Sequence, residues 1–415
     1  VSGATRLTYH VAEQKPWLVY AQVGNYGTEA TTEWRERFGF THYQLSGHDD
    51  VLRLDYVTGN FEDVHAGFGS YEAPFFQLDR LRLRGYGSYS EYDASELGLS
   101  LPGSIDFSGT QWEGGARLIA NLWQWHALFL DAYGGARWRN VTVENELALG
   151  NLDDDAADDF FLPEVGFAAS YAAVWSRLDL EAGYETNLGS VAGTGDSAEL
   201  ADLGQLDADR DFSLVRWNGS FSFYLEPILL ARRGWGDPGS PSRSTLAHEV
   251  VLTTRGQYSL GDRLVPQFQQ VAGGMFTVRG YEQSIVAGDS AVLGSAEYRY
   301  HFARTLDPGA EPIELPVIGP FQAWPRTVFA RPDWDLILKA FMDGGKTWYT
   351  RSSDPNAGDF NEHHEELFAV GVGVEVQFMR YLRAGVDLAW PRASLSDESR
   401  GGDSPEVHVL VTVMF

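Results

Sequence analysis

The feature that most limits how this chain can fold is a strict alternation of apolar residues with polar or small ones. From Phe368 to Phe378, every second residue is valine or phenylalanine, and those between are alanine, glycine, glutamate and glutamine. The segment from Leu382 to Trp390 follows the same rule. A period of two residues is that of a β-strand. Each segment also has roughly the ten residues that a tilted strand needs to cross the hydrocarbon of a membrane.

Segments of this kind recur from Leu18 to the end of the chain, whereas helical periodicity is hard to find. We count sixteen of them, and an even number is what an antiparallel barrel with both termini on one side requires. The pattern therefore predicts an all-β protein, a single 16-stranded antiparallel transmembrane β-barrel. The predicted strands lie near residues 17–24, 34–43, 50–58, 64–72, 81–90, 109–121, 125–138, 159–175, 177–187, 212–226, 245–259, 290–302, 336–348, 367–378, 382–390 and 406–415.

The connections between the predicted strands fall into two classes. Those after odd-numbered strands, such as 351–366, are long and acidic, and we expect them to face outward from the cell. Those after even-numbered strands include short turns at 122–124 and 379–381. Two even-numbered connections, 227–244 and 303–335, are long and proline-rich, which departs from the short periplasmic turns usual in such barrels.

A soluble β-sandwich is an alternative, because its strands also alternate and bury their apolar face in a core. Two details favour lipid instead. Aromatic residues such as Phe368, Trp390 and Phe415 stand at strand ends, where the aromatic girdles of membrane barrels lie. The opposite faces carry glycine and charges of both signs, which suits a water-filled lumen. No run of about 18 apolar residues occurs, so no transmembrane helix is predicted.

The charge and composition of the chain exclude several classes of function. Its formal net charge is −27, whereas a nucleic-acid partner would demand a basic surface. It has no cysteine, so it forms neither a disulfide nor a thiolate metal site. It has no Gly-x-Ser-x-Gly motif and no credible Ser/His/Asp set, and we expect no enzyme and no cofactor. An outer-membrane phospholipase or protease is an alternative only through residues that sequence alone cannot bring together. The stretch from His363 to Glu366 could be read as metal ligands, but we expect a solvated acidic loop there and no metal site.

A second informative feature lies in the connection before the predicted strand at 290–302. It reads Gly-Gly-Met-Phe-Thr-Val-Arg-Gly-Tyr from Gly273 to Tyr281, and Gly288-Asp289 and then Ser-Ala-Glu-Tyr-Arg-Tyr follow it. The chain ends on an alternating strand that closes with Phe415. Together these features resemble the BamA/FhaC superfamily of outer-membrane polypeptide transporters and assembly factors.

The resemblance implies that this connection folds back into the lumen of the barrel, where the arginine of the motif pairs with an aspartate on the barrel wall. An arginine fork can hold a carboxylate through two hydrogen bonds, which fixes orientation as well as position. A solvated loop with an unpaired arginine is the alternative. The loop motif consists of Val278, Arg279, Gly280 and Tyr281, and the matching wall motif contains Phe341, Asp343 and Gly344.

The alternation around the wall motif supports the pairing independently. Apolar residues occupy every second position of 336–342, so Phe341 and Asp343 are predicted to point into the lumen. Gly280 lets the loop turn tightly, and we expect Tyr281 to wedge against Phe341 and the glycine-lined wall. Further charged residues are expected to form a lumenal network rather than to perform acid–base catalysis; these are Glu297, Arg299, Lys339, Glu375, Arg383 and Asp387.

By the same resemblance, residues 1–15 are the remnant of a periplasmic POTRA domain and a linker, and residues 16–415 form the barrel. We expect the functions of complete POTRA domains to belong to a longer parent protein. The resemblance implies a location in the bacterial outer membrane, in contact with membrane lipid and lipopolysaccharide. It also implies insertion by the barrel-assembly machinery, which would read a C-terminal signal containing Val411, Val413 and Phe415.

Members of the superfamily either export a partner protein or insert other barrels into the membrane. The segment Asn25–Thr28 and the pair Asp49-Asp50 look more like the FhaC-like exporters (TpsB) of two-partner secretion. We therefore expect an exporter of a secreted polypeptide, with a BamA/TamA-like insertase of outer-membrane polypeptides as the alternative. A passive porin, with selectivity set by lumenal charges such as Arg53 and Asp55, and a soluble all-β binding protein are further alternatives.

Overall fold

The strands of this protein close into one barrel. In the computed structural model, sixteen antiparallel strands follow one another around the wall, and the first pairs with the last. The predicted 16-stranded barrel is confirmed, and each predicted segment coincides with a strand. The structure describes residues 15–78, 80–95, 105–147, 156–229, 246–307, 311–316, 319–326, 330–352, 364–396 and 404–415.

The barrel strands, numbered in chain order, are β1 (Trp17–Gly24), β2 (Arg35–Tyr43), β3 (Val51–Gly59), β4 (Val64–Pro74), β5 (Leu81–Ser95), β6 (Ile105–Trp125), β7 (Leu128–Leu147), β8 (Ala156–Ala172), β9 (Ser176–Thr186), β10 (Ser213–Tyr224), β11 (His248–Tyr258), β12 (Ser290–His301), β13 (Trp334–Trp348), β14 (Glu365–Phe378), β15 (Leu382–Pro391) and β16 (Glu406–Met414). The wall is uneven in height. β6 and β7 have 21 and 20 residues, whereas β1 and β16 have 8 and 9.

Strand boundaries differ most from the sequence prediction in β5 to β8, which extend further at their outer ends. Outward residues there, such as Thr142 and Glu144, are polar, so the lipid-facing alternation that identifies a membrane strand is missing although backbone pairing continues. The predicted turn at 122–124 is wrong. The chain turns at residues 126–127, where His126 has a φ of 54°. The predicted turn at 379–381 is confirmed.

The wall has an apolar outer face and a polar inner face. In β13, Leu338 and Met342 are 44% and 54% exposed on the outside, whereas Ile337 and Asp343 on the inside are each 1% exposed. The same alternation runs through β14, where Val372 faces out and Glu375 faces in. The inward direction predicted for Asp343 is thus confirmed, and the outer face is the surface that would meet lipid.

Regular structure outside the wall is slight. In the described part of the chain, no helix combines the length and the hydropathy needed to cross a membrane. Most of the predicted POTRA remnant, residues 1–14, lies outside the described residues. The short elements are the α-helices Gly189–Ala192, Ser197–Ala201 and Glu226–Leu229, the 3₁₀ turns Phe75–Gln77, Pro266–Phe268 and Phe302–Thr305, and the two-stranded pairs Gln270–Ala272 with Val286–Gly288 and Ile313–Leu315 with Gly319–Phe321.

The barrel is closed by the seam between β1 and β16. Their ladder pairs five residues of each strand, whereas the ladder between β1 and β2 pairs eight. Backbone hydrogen bonds in both directions between Val19 and Phe415 extend the seam at the end where β1 begins and β16 ends. At the other end the Asn25 side chain donates to the Val407 carbonyl at 2.6 Å and accepts from the Val409 amide at 2.7 Å. The short ladder is therefore supplemented at both ends.

Candidate functional site

The connection between β11 and β12, residues 259–289 and hereafter the inner loop, folds into the barrel. Its two limbs pair with each other between Gln270–Ala272 and Val286–Gly288. Beyond this pairing, Val278 is fully buried against the wall. The loop thus enters the lumen as a hairpin and returns to the wall at its tip.

Two glycines shape the tip. Gly273 and Gly274 have φ angles of 105° and 94°, left-handed values that glycine adopts without strain. The Gly274 amide donates to the Val278 carbonyl at 3.2 Å, and the Thr277 hydroxyl donates to the Gly273 carbonyl at 2.8 Å. The tip is therefore a compact turn that presents the next residue, Arg279, to the wall.

Arg279 binds Asp343 on β13, the partner that the resemblance implies. The backbone amide and Nε of Arg279 donate to Asp343 Oδ2 at 3.1 and 2.7 Å, and Nη2 donates to Oδ1 at 2.9 Å. Ser295 on β12 donates its hydroxyl to the same carboxylate at 2.6 Å. The guanidinium and carboxylate planes are thereby held in a two-pronged contact that fixes their relative orientation.

The guanidinium has two further carboxylate partners. Its Nη1 donates to Glu297 of β12 at 2.8 Å and to Asp387 of β15 at 2.9 Å. Its Cζ lies 3.3 Å from the centre of the Phe341 ring, a cation–π contact. Carboxylates of three strands thus converge on one cation of the loop. We call Arg279, Asp343, Glu297, Asp387 and Phe341 the tip site.

The tip site is shielded from water. Arg279 is 8% exposed and Asp343 is 1% exposed. Burial alone would lower the pKa of Arg279, but the hydrogen bond to Asp343 and the charges of Asp343 and Glu297 raise that pKa above its ordinary value. Removing one member of such a shielded pair costs about 3–5 kcal/mol, rather than the roughly 1 kcal/mol or less of a solvated pair.

The remaining predicted lumenal charges lie around the tip site. Lys339 contacts Asp387 at 2.5 Å, and Arg299 donates to Glu297 at 2.6 Å, so two of the carboxylates have a second cation. Arg383 contacts Glu375 at 2.7 Å one step further along the wall. All six predicted network residues therefore form ion pairs. In two of these pairs, the carboxylate also binds Arg279. A cavity beside them is lined by residues that include Phe276, Arg383, Gly385, His408 and Thr412.

Gly280 and Val278 allow the loop to approach the wall closely. Gly280 has a φ of 94°, and a Cβ atom there would lie 3.1 Å from the Cβ of Ala369. Any side chain at this position would cause backbone strain and would contact a neighbouring strand.

The tip also contributes to an apolar cluster of buried residues, namely Ala272, Val278, Tyr281, Leu293, Leu367, Ala369 and Leu395.

Tyr281 takes a different place from the one predicted. Its hydroxyl donates to the Ala393 carbonyl at 2.7 Å and accepts from the Phe368 amide at 3.2 Å, which ties the loop to the outer ends of β14 and β15. The side chain against Phe341 is Arg279. The expected wedge of Tyr281 against Phe341 is therefore wrong, because the longer arginine occupies the ring face and Tyr281 is directed toward the outer rim.

The wall glycine that faces the loop is Gly345, which follows Gly344 of the wall motif. A Cβ at Gly345 would lie 3.2 Å from Val278, whereas the nearest atom to a Cβ at Gly344 is 3.7 Å away on Phe368. The alternation explains the difference, because an inward Asp343 requires an outward Gly344.

A glycine does line the wall under the tip site, as predicted. A Cβ at Gly371 would overlap the ring of Phe341. The ring can therefore lie flat against β14, with the Arg279 guanidinium on its other face. The missing side chain of Gly371 is what leaves room for this stack.

Gly288 and Asp289, noted in the sequence without a role, hold the base of the inner loop. A Cβ at Gly288 would lie 2.9 Å from the backbone of Trp348. Asp289 accepts hydrogen bonds from the amides of Leu264 at 3.1 Å and Thr350 at 2.8 Å. Burial raises the pKa of Asp289 to about 6 despite these hydrogen bonds. Its side chain fixes both limbs of the loop and the connection after β13.

A second charge network lines the lumen on β6 to β10, and sequence reasoning missed it. The sequence pattern that indicates it is charged residues two positions apart, such as Arg137 and Arg139, which lie on one face of a strand. All its ion pairs join residues of the wall. The network consists of Glu113, Glu164, Glu181, Glu185, Arg117, Arg137, Arg139 and Arg216.

The described residues contain no group of three or more acidic or histidine side chains placed to hold a metal ion. Of the stretch considered as ligands, His363 lies outside the described residues. Glu365 and Glu366 begin β14 rather than lying in a loop, and the Ser396 amide donates to Glu365 at 3.0 Å. Backbone pairing with β13 extends the strand by two residues beyond its predicted start.

The C-terminal residues lie in the seam. Val411 pairs with Val23 and Val413 pairs with Ala21 on β1. Phe415 is 58% exposed at the end of the seam where β1 begins. These positions follow from the alternation, and their role as an assembly signal stays a prediction.

Comparison with known proteins identifies the fold. No family model matches the sequence, and no curated protein matches it. The structure is similar to that of CdiB from Escherichia coli (TM-score 0.70, 14% identity, 98% of this chain and 64% of that chain) and of CdiB from Acinetobacter baumannii (0.63, 13%, 98% and 61%). It is also similar to BamA from Haemophilus ducreyi lacking POTRA domains 1–3 (0.58, 14%, 97% and 71%).

These similarities show that the chain has the barrel fold of CdiB and BamA, the fold that the sequence resemblance implies. The chain spans somewhat less than two thirds of the two CdiB chains, at 64% and 61%.

Proposed function

We propose that this chain is the barrel of a non-enzymatic exporter in the bacterial outer membrane, which passes a secreted polypeptide through its lumen. In this proposal the inner loop obstructs the lumen at rest and moves when the polypeptide passes. The observation that carries the proposal is the tip site. There a loop arginine is buried among three carboxylates of the wall.

The chemistry of the tip site suits a removable obstruction. Carboxylates and a guanidinium can exchange their mutual hydrogen bonds for water once the loop leaves, because all of them belong to a lumen of polar residues. A 16-stranded barrel is wide enough to enclose an aqueous channel. The ion pairs therefore hold the loop in the closed position without making that position permanent.

The seam favours export over insertion. An insertase that works at the junction of β1 and β16 needs these strands to separate. Here Asn25 adds two side-chain hydrogen bonds to the ladder, and Gln22 donates to Thr412 at 2.9 Å across it. Asn25 belongs to the segment that looks FhaC-like in the sequence. The structure of CdiB, at TM-score 0.70, is also more similar to this barrel than that of BamA, at 0.58.

A deletion strain tests the proposal whatever the cargo is. We expect loss of the full-length gene to remove one secreted protein from the medium, while the other outer-membrane proteins keep their levels. A general fall in outer-membrane barrels would instead indicate an insertase. Unchanged protein levels in both the medium and the membrane would contradict both roles and favour a passive porin.

A disulfide across the seam separates the two roles directly. Val23 and Val411 are ladder partners, and antiparallel partners have Cα atoms about 4.5–5.5 Å apart, within the span of a disulfide. Because the chain has no cysteine, the double variant Val23→Cys/Val411→Cys carries no other thiol. An exporter keeps full activity when this bond is oxidised. An insertase loses activity when it is oxidised and regains it on reduction, and Val23→Cys alone is the control.

A further inference from the structure

The inner loop is bound to the wall at a second place, before its limbs pair. Gln257, on the inner face of β11, is 1% exposed. Its Nε2 donates to the carbonyls of Phe268 at 2.8 Å and Asp289 at 2.9 Å. A single buried amide thus holds both limbs of the loop at its base. Arg216 of the second charge network donates to Gln257 Oε1 at 2.7 Å and so fixes the orientation of that amide.

Phe268 anchors the same place through apolar contact. It is 1% exposed, and its ring centre lies 4.8 Å from those of Phe160 and Phe212. Leu264 and Val265 belong to the same buried cluster. The first limb of the loop is therefore packed into a dry interior formed with β7, β8 and the β9–β10 connection.

Arg139 connects this cluster to the second charge network. Its guanidinium lies 4.7 Å from the Phe268 ring centre, and Nη1 is 3.4 Å from the Gln267 carbonyl oxygen. It also donates to Glu113 at 2.9 and 2.6 Å. Arg139 thus contacts the loop through the face of its guanidinium and through Nη1, and it contacts the wall through Nε and Nη2.

We propose that Arg139, Gln257 and the cluster around Phe268 form a second binding site for the inner loop, the base site, which stays closed when the tip site opens. Residues 263–269 then remain on the wall, and movement is confined to 270–288. The opening of the tip site during export rests on the proposed function, but the test of the base site does not require export.

The two sites differ in what can compete with them. The tip site is an ion cluster bordering a cavity, so charged side chains of a passing polypeptide can replace its contacts. The base site is held by apolar packing and by an amide that binds backbone carbonyls in a dry interior. A passing chain offers no substitute for that packing. Opening is therefore expected at the tip alone.

Hydrogen exchange of the full-length protein in detergent, followed by mass spectrometry, reads both sites at once. The Phe268 amide donates to Val265 in the base segment, and the Thr277 amide donates to Gly274 in the tip. We expect Arg279→Ala to speed exchange in 273–285 by at least about tenfold, because buried charged hydrogen bonds are lost, and to leave 260–269 unchanged. We expect Arg139→Ala to speed exchange in 260–269, and Arg139→Lys to restore part of the protection.

Arg117→Ala is the matched control, because Arg117 pairs with Glu164 and Glu181 of the same wall network. It should leave both loop segments at the wild-type rate. If Arg139→Ala fails to fold, Gln257→Ala tests the same site through its amide. Equal acceleration of both segments by Arg279→Ala would overturn the proposal, as would unchanged exchange of 260–269 in the variants of Arg139 and Gln257. An absence of export with these exchange results would count against the proposed function alone.

Discussion

Two stretches of the lumenal wall carry charge networks, and they are neutralised in different ways. On β6 to β10, four glutamates face four arginines, all of them wall residues. On β12 to β15, the carboxylates of Asp343, Glu297, Asp387 and Glu375 face only three wall cations. The fourth cation is Arg279 of the inner loop. The first network is complete without the loop, whereas the second is completed by it.

Under the proposed function, the difference decides which stretch we expect to act as a switch. A wall whose carboxylates are all paired with wall arginines is not stabilised further by a charge on the loop, so we expect its ion pairs to stay unchanged when the loop moves. A wall with one uncompensated carboxylate attracts a cation, and that cation can be supplied by the loop or by a passing chain. Asp343 is the carboxylate concerned, because among the described residues Arg279 is the only cation in an ion pair with it.

Removing one arginine from each network should distinguish the two networks most strongly. We expect Arg279→Ala to lower the free energy of unfolding by about 3–5 kcal/mol, because it strands a buried Asp343. Arg137→Ala should cost only about 1–2 kcal/mol, because Glu113 and Glu185 keep Arg139 and Arg216. Urea unfolding in detergent measures both. Equal losses would mean that the two networks are equivalent.

Within the tip site, we expect the loss of Asp343 to lower the free energy of unfolding more than the loss of Asp387 does. Asp343→Asn breaks the two-pronged contact, and we expect a loss of about 2–3 kcal/mol. Asp387→Asn should cost about 1–2 kcal/mol, because Arg279 keeps Asp343 and Glu297, while Lys339 loses its ion pair with Asp387. The same unfolding measurement ranks them. A larger loss for Asp387→Asn would show that Asp343 is not the main partner of the loop.

A glycine pair tests the close approach of loop and wall. Gly345→Ala places a Cβ against Val278 and Leu293, and we expect a loss of about 1–2 kcal/mol from overpacking. Gly344→Ala faces outward with no close neighbour, so its effect should stay within about 0.5 kcal/mol. Thermal unfolding of the two variants measures the difference. The reverse order would mean that Gly344, and not Gly345, faces the loop.

The smallest expected effect is a pH dependence of the loop base. The pKa of Asp289 is raised to about 6 by burial, so the folded state favours its protonated form. The stability that it contributes is present at low pH and is lost as the pH rises through about 6. From pH 7.5 to pH 5.5 the wild type should gain about 1 kcal/mol relative to Asp289→Asn. An unchanged difference between the two proteins over this range would contradict the buried, protonatable state of Asp289.

The fold could be predicted from sequence because its signal is local. Lipid on one side and water on the other impose a period of two, and β14 and β15 show it plainly. The inward direction of Asp343 followed from the same rule. At the outer ends of β5 to β8 the outward residues, such as Thr142 and Glu144, are polar, so the lipid-facing alternation is missing and the predicted boundaries were wrong there.

The candidate site could be predicted only in part, because its contacts are not local. The pairing of Arg279 with Asp343 came from the family resemblance, and the alternation supported it. That Asp387, more than a hundred positions along the chain, shares the same guanidinium nitrogen as Glu297 depends on how the loop turns inside the barrel. The base site rests on Gln257 and Phe268, whose residue types carry no distinctive signal until the loop is folded.

The central claim is that Arg279 keeps the inner loop across the lumen, and single-channel recording in planar lipid bilayers tests it most directly. We expect small conductance for the wild type and larger, more frequent openings for Arg279→Ala, with Arg117→Ala resembling the wild type. A large and steady conductance that is the same in the wild type and in Arg279→Ala would contradict it.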